Sequence, residues 1–332
     1  MKIAFFHATP FRNDLYTKNN RYKWSLHFFS PRLTLETVTL AAGFKVIVVS
    51  ANDTLDAEVL QQLNELGVEM IALRCAGYNN VDLNEVKRLG FSIARVPAYS
   101  PYAVAEHAVA LMMALNRKTH RAHSRVREGN FSLNGLVGFD MHARTAGIVG
   151  TGKIGSCCAQ ILHGFGCELL AYDVYKNDDL IKKTQIQYVD MAELLQRSDV
   201  ISLHAPLTPE THHLIDKEAV SKMKPGVMLI NTARGALVDT IALMDGLKSG
   251  KIGYAGLDVY EEEGAYFFED FSNRVITDDV LARLTTFNNV MITGHQGSLT
   301  QDAQLNIVDA TIENIREFES GKLGTDMTNT IL

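Results

Sequence analysis

Residues 146–173, AGIVGTGKIGSCCAQILHGFGCELLAYD, decide the fold, because they read as a strand, a glycine turn, a helix and a second strand in immediate succession. Gly150, Gly152 and Gly155 form a G-x-G-x-x-G pattern. The first glycine permits the tight turn, the second lets backbone approach a pyrophosphate, and the third lets the helix sit closely on the sheet. The helix start, with Lys153 and Ile154 in its first turn, offers unpaired N–H groups and a positive dipole end to phosphates. The apolar run 146–149 before the turn, and Ile154, Ile161 and Leu162 behind it, supply the context that a lone glycine pattern lacks. The second strand, 168–172, ends at Asp173, roughly 20 residues past the glycines, where a carboxylate accepts from an adenosine ribose diol and repels a 2′-phosphate. NAD is therefore the expected cofactor rather than NADP, with Lys176 nearby as the opposing charge.

Working outward, the residues before this unit carry strand patterns at 2–6, 44–49, 68–73 and 91–96, with helical patterns at 55–66 and 81–89 between them. Such alternation implies a parallel sheet covered by helices on both faces. VPAYSPYAVAEH, with Pro97 and Pro101, suits a crossing between domains, and a buried helix follows at about 102–116. Strand patterns then recur at 146–149, 168–172, 200–203, 227–231, 254–257 and 290–293, which makes a second, doubly wound α/β domain. A terminal helix at about 300–319 has an apolar stripe (Leu305, Ile307, Val308, Ile312, Ile315, Phe318) that would serve to complete the first domain.

At 332 residues and 46% hydrophobic, the chain has enough apolar surface for two cores, and a net charge of −6 argues against a nucleic-acid binder. The basic run of Arg117, Lys118, Arg121, Arg125 and Arg127 reads as a solvated helix face or a subunit contact. The apolar run 103–115 is too short for a membrane span and contains Glu106 and His107. MKIAFF reads as a strand rather than an export signal. Cys75, Cys157, Cys158 and Cys167 show neither zinc-ligand spacing nor a disulfide framework. Reduced thiols, a cytoplasmic location and no metal are the expectation.

Ligands of open parallel sheets bind beyond the carboxyl ends of the strands. Four polar residues stand there: His204 after VISL, Arg234 after VMLINTA, Glu263 after GLDVYEE and His295 after NVMITG. An arginine grips a small carboxylate through two parallel hydrogen bonds. A histidine supplies a proton donor suited to carbonyl reduction, and both His204 and His295 qualify by position. A glutamate beside an imidazole fixes its tautomer and favours its charged form, and Glu261, Glu262 and Glu263 all offer one.

With RCAGYNNVD, YSPYAVAEHA, DVISLHAPLTPET, NTARGALVD, GLDVYEEE, FFED and TGHQGSLT added to the glycine motif, the chain resembles the D-2-hydroxyacid dehydrogenase family, most of all its fermentative D-lactate dehydrogenases. The resemblance implies an NAD-dependent oxidoreductase of two parallel α/β domains with the active site in the cleft. The substrate domain would be residues 1–100 plus 299–332, and the NAD-binding Rossmann domain 101–298. It implies Arg234 as the carboxylate clamp, His295 as acid/base, Glu263 as its partner and Asp258 near the nicotinamide. It also implies substrate contacts at Cys75, Ala76, Gly77, Tyr78 and Tyr99, and cofactor-pocket positions at His204, Pro206, Thr211, Thr232 and Ala233. A homo-oligomer, dimer or tetramer, is implied, with helix 102–116 as a contact surface, acting on a 2-oxo or 2-hydroxy acid in fermentative pyruvate metabolism. One position departs from the pattern. Ser298 stands where many D-lactate dehydrogenases carry an aromatic lining the substrate side-chain pocket, so a larger 2-oxo acid is the alternative substrate. An NAD-sensing interaction protein is the alternative from another class.

Overall fold

Stretches such as VIVV and MIAL are apolar at every position, so strands built from them have to be covered on both faces. The computed structural model, which describes residues 1–332, satisfies this twice, in one unit of Met1–Ser100 with Leu299–Leu332 and another of Pro101–Ser298. The first holds β1 (Lys2–Phe5), β2 (Ser25–Phe28), β3 (Val46–Val49), β4 (Met70–Leu73) and β5 (Ser92–Ala94), all parallel in the order β2-β1-β3-β4-β5. Alternate residues point to opposite faces. Ile47, Val49, Ile71 and Leu73 therefore meet Val59, Leu60 and Leu63 of helix Ala57–Glu65. Ile3, Phe5, Val46 and Val48 turn the other way, onto Tyr16 of helix Pro10–Asn19 and Val308, Ile312 and Ile315 of helix Gln301–Glu319. The terminal helix thus belongs to the first sheet. β2 is absent from the sequence reading because SLHF is a half-exposed edge strand with no apolar run.

The second unit holds β6 (Thr145–Val149), β7 (Glu168–Tyr172), β8 (Gln187–Tyr188), β9 (Val200–Leu203), β10 (Val227–Asn231), β11 (Ile252–Leu257) and β12 (Val290–Ile292). Its order is β12-β11-β10-β9-β6-β7-β8, all parallel. Six of these strands lie where the apolar patterns placed them, and β8 is a two-residue edge strand. The chain leaves β6 toward β7 and β8, then returns to lay β9 on β6's other side. That reversal opens the crevice at their carboxyl ends where nucleotides bind in such sheets. Helices Pro101–Arg117 and Lys153–Gly164 cover one face, burying Leu111, Met112, Leu115 and Cys158 against Ile148, Met228 and Ile230. No helix is long and apolar enough to cross a membrane.

The end of the chain is tied back onto helix Gln301–Glu319 by one carboxylate. Glu317 accepts from Lys322 Nζ at 2.7 Å, from Thr328 N at 2.8 Å and from the Thr328 hydroxyl. Burial alone would raise its pKa, but the ammonium and the Thr328 donors together hold it down to about 2. A carboxylate depressed in the folded state contributes stability above its ordinary value of 4.5, and that contribution fades as pH falls toward 2. Glu317→Gln is expected to cost roughly 1–3 kcal/mol at pH 7. The difference from the parent should shrink below pH 4.5, as read from urea midpoints across pH.

Candidate active site

The glycine turn is built by close approach. Gly150 has φ +90°, and a Cβ there would lie 2.7 Å from Ala205 N; a Cβ on Gly155 would lie 1.9 Å from Gly150 O. At Gly152 a Cβ would meet nothing within 4 Å, so this glycine keeps space open rather than filling it. Gly152 also caps helix Lys153–Gly164 without any side-chain hydrogen bond, leaving the first N–H groups free for an anion. Ile154 packs into the core beneath the helix, whereas Lys153 is exposed. Asp173, one residue past β7, accepts from Thr151 N at 2.5 Å and Thr151 Oγ1 at 3.0 Å through Oδ2, and from Tyr175 N at 3.1 Å through Oδ1. An open groove of about 600 Å³ runs past Gly152 and Asp173 to Lys176 and Lys182.

At the switch point, His204 N donates to Val149 O at 2.7 Å and its Nε2 lies 2.9 Å from Ser202 Oγ. Burial pushes the His204 imidazole down to about 4, so it is neutral near pH 7 and a poor proton source. Thr211 Oγ1 donates to Pro206 O at 2.6 Å and accepts from Thr208 N at 2.8 Å, which closes the turn after His204. Thr232 Oγ1, beyond β10, is buried with no hydrogen-bond partner, and Ala233 N donates to Asn231 Oδ1 at 3.1 Å. An uncapped helix start, a carboxylate at the strand end and an orphaned hydroxyl at the sheet's carboxyl edge fit NAD.

Beside this crevice, β10, β11 and β12 deliver three functional groups. Arg234 leaves β10 in extended backbone, and its Nη1 donates to Ala233 O at 2.6 Å. No carboxylate of the chain pairs with its guanidinium, which removes the reading of Arg234 as half of a structural ion pair. His295, past β12, has its Nδ1 2.7 Å from Glu263 Oε1, while its Nε2 makes no hydrogen bond within the chain. Glu263 Oε2 accepts from Tyr260 N at 3.0 Å, so the carboxylate is oriented before any substrate arrives. The acidic triplet is sorted by partner: Glu261 takes His213 at 2.6 Å and Thr240 at 2.8 Å, Glu262 is exposed, and Glu263 takes His295.

Sequence reasoning missed what holds His295. Its backbone is left-handed, φ +54°, and its N–H donates to Asp258 O at 2.8 Å. The Asp258 carboxylate, only 1% exposed, accepts from Thr293 Oγ1 at 2.5 Å, Gln296 N at 2.9 Å and Gly297 N at 2.7 Å, with His107 Nε2 at 3.2 Å. Burial would raise its pKa, but these donors hold it below the ordinary value. Asp258, expected near the nicotinamide, thus spends its side chain on the turn bearing His295. Phe268 is likewise left-handed, φ +70°, with its ring centroid 5.9 Å from that of His295. Ser298 follows directly after the anchored Gly297.

In the first unit, the loop 75–78 leaves β4. Cys75 Sγ donates to Gly77 O at 3.2 Å, Arg95 Nη1 donates to Ala76 O at 2.7 Å, and the Arg95 guanidinium lies 5.2 Å from the Tyr78 ring centroid. Tyr99 O accepts from Asn306 Nδ2 at 2.5 Å.

Residues 109–297 match the family model described as D-isomer specific 2-hydroxyacid dehydrogenase, NAD binding domain. The chain is 51% identical to a 2-hydroxyacid dehydrogenase homolog of Haemophilus influenzae over 97% of its length and 98% of the relative's. It is 48% identical to D-lactate dehydrogenase of Escherichia coli, with the same coverage of 97% and 98%. A solved D-lactate dehydrogenase from Aquifex aeolicus, complexed with NAD and lactic acid, superimposes with a TM-score of 0.87 at 34% identity, covering 99% of this chain and 98% of that one.

Because a Cβ on Gly155 would overlap the Gly150 carbonyl and crowd His204 Cβ at 3.3 Å, Gly155→Ala is expected to push the helix off the turn. NADH affinity, followed by fluorescence titration, should fall at least tenfold, roughly 1.4 kcal/mol, while the first unit's melting is unaffected.

Proposed function

This chain belongs to the D-isomer specific 2-hydroxyacid dehydrogenase family, and on that premise we propose that it catalyses the reversible, NAD-dependent reduction of pyruvate to D-lactate. The observation that carries this reading is the pairing of His295 with Glu263 at 2.7 Å, outward Nε2 unengaged, alongside an arginine that no carboxylate neutralises. NADH, when bound, supplies a hydride for the 2-carbon of the oxo acid. Arg234 grips the substrate carboxylate through its planar fork and polarises the adjacent carbonyl. His295 donates its Nε2 proton to the carbonyl oxygen as the alkoxide forms, and takes it back in the reverse direction. Glu263 holds Nδ1–H, so that the tautomer is set and the imidazolium is stabilised. We assign further substrate contacts to Cys75, Ala76, Gly77, Tyr78, Tyr99 and Ser298, and cofactor contacts to the glycine turn, Asp173 and Thr232.

A small side chain at Ser298 favours a second reading, a preference for larger 2-oxo acids. We also propose a cytoplasmic location, supported by four cysteines that form no disulfide. A homo-oligomer is proposed through the arm after helix Pro101–Arg117 rather than through that helix, whose apolar side is consumed by its own unit. Phe131, Leu133 and Val137 of the arm are 73–83% exposed, an apolar set that a second copy would cover.

NADH oxidation should be followed with pyruvate, 2-oxobutyrate, 2-oxoisocaproate and phenylpyruvate at equal concentration, with the product's chirality assayed. Fastest turnover on pyruvate giving D-lactate is expected; a preference for the bulky acids would favour the second reading, and NADH binding without turnover would leave an interaction protein. His295→Gln is expected to lower kcat by roughly 10²–10⁴-fold with NADH affinity retained. Arg234→Lys should lower kcat/KM for pyruvate by roughly 10- to 100-fold, since the fork geometry is lost.

A further inference from the structure

Outside the reacting groups, one cluster joins three good metal ligands. The ligand atoms of His212, His213 and Glu261 lie within 4.8 Å of one another. The two histidines follow one another in the turn after Thr211, with their rings stacked at 4.0 Å and 29°, and Glu261 comes from the loop that follows β11. Two imidazoles and a carboxylate are the donor set preferred by zinc-like divalent cations. We propose that His212, His213 and Glu261 form a binding site for a divalent transition cation of the Zn²⁺ class, although the cysteine spacing led to an expectation of no metal.

The surroundings suit the purpose. Glu261 Oε2 accepts from Thr240 Oγ1 at 2.8 Å, which orients the carboxylate from behind as outer-shell donors do in metal sites. His213 Nε2 now lies 2.6 Å from Glu261 Oε1. Ligand atoms around tetrahedral zinc stand roughly 3.3 Å apart, so the cation replaces a shared proton with only small side-chain rotations. His212 is exposed and free to turn its ring toward the other two ligands. The backbone of His213 is left-handed at φ +50°, and its N–H donates to Ala236 O at 2.8 Å, two residues past Arg234. Glu261 in turn precedes Glu263 by two residues. A bound cation therefore clips the Arg234 segment to the Glu263 segment without touching either reacting group.

The test is titration of the full-length, EDTA-treated protein with Co²⁺, read by its visible d–d absorption, followed by competition with Zn²⁺. One saturable Co²⁺ site displaced by Zn²⁺ is expected. His212→Ala and the size-preserving His212→Gln should each weaken binding at least tenfold, with pyruvate turnover in EDTA unchanged. Thr240→Val should weaken it roughly tenfold by freeing the carboxylate. Zn²⁺ should raise the melting temperature of the parent but not of either His212 variant. Equal Co²⁺ affinity in the parent and both His212 variants, or no saturable binding at all, would overturn the assignment.

Discussion

The active-site end of the second unit depends on one desolvated carboxylate. A charge buried to the extent of Asp258 is tolerable only if its oxygens are met by donors. Those donors come from a helix (His107), from the residue after β12 (Thr293) and from the turn beyond it (Gln296 and Gly297). Meeting them forces residues 293–297 to close over the end of β11. His295 is then carried into a left-handed conformation that an isolated chain would avoid, at a cost of about 1–3 kcal/mol. The same closure sets its imidazole on Glu263, so the backbone strain and the His295–Glu263 pairing have one cause.

At the cofactor end the constraint is spatial rather than electrostatic. β6, the turn and the following helix approach so closely that a methyl group at Gly150 or Gly155 would overlap backbone, whereas Gly152 faces open space. Two of these glycines serve the protein's own packing and one leaves space open. The neutral state of His204 follows from the same compression, because burial against the switch point disfavours its charged form. The two histidines at strand ends are thereby separated, one uncharged near pH 7, the other beside a carboxylate.

Anionic side chains also settle connections far from the crevice. Glu317 gathers Lys322 and Thr328, while Asn314 Nδ2 donates to Arg95 O at 2.9 Å. Helix Gln301–Glu319 and the residues after it are bound by these contacts and by Val308, Ile312 and Ile315 to the face of the first sheet. That is how residues nearly 300 positions apart, such as Tyr16 and Thr311, share one core.

By itself the sequence determined the alternation of strands and helices, the nucleotide turn and the residues available at the strand ends. These are local matters, since apolar period and glycine spacing act within a few residues of the chain. Edge strands β2 and β8 escaped because short, half-exposed strands need no apolar run. Family motifs pointed to His295 and Glu263, but no local rule said which of Glu261, Glu262 and Glu263 meets His295. Only the tertiary structure shows that pairing, the tie of His107 to Thr293 across 186 positions and the meeting of His213 with Glu261 across 48. The reason is physical: burial and hydrogen-bond competition depend on which distant donor arrives at a given oxygen or nitrogen, and only the folded chain specifies that.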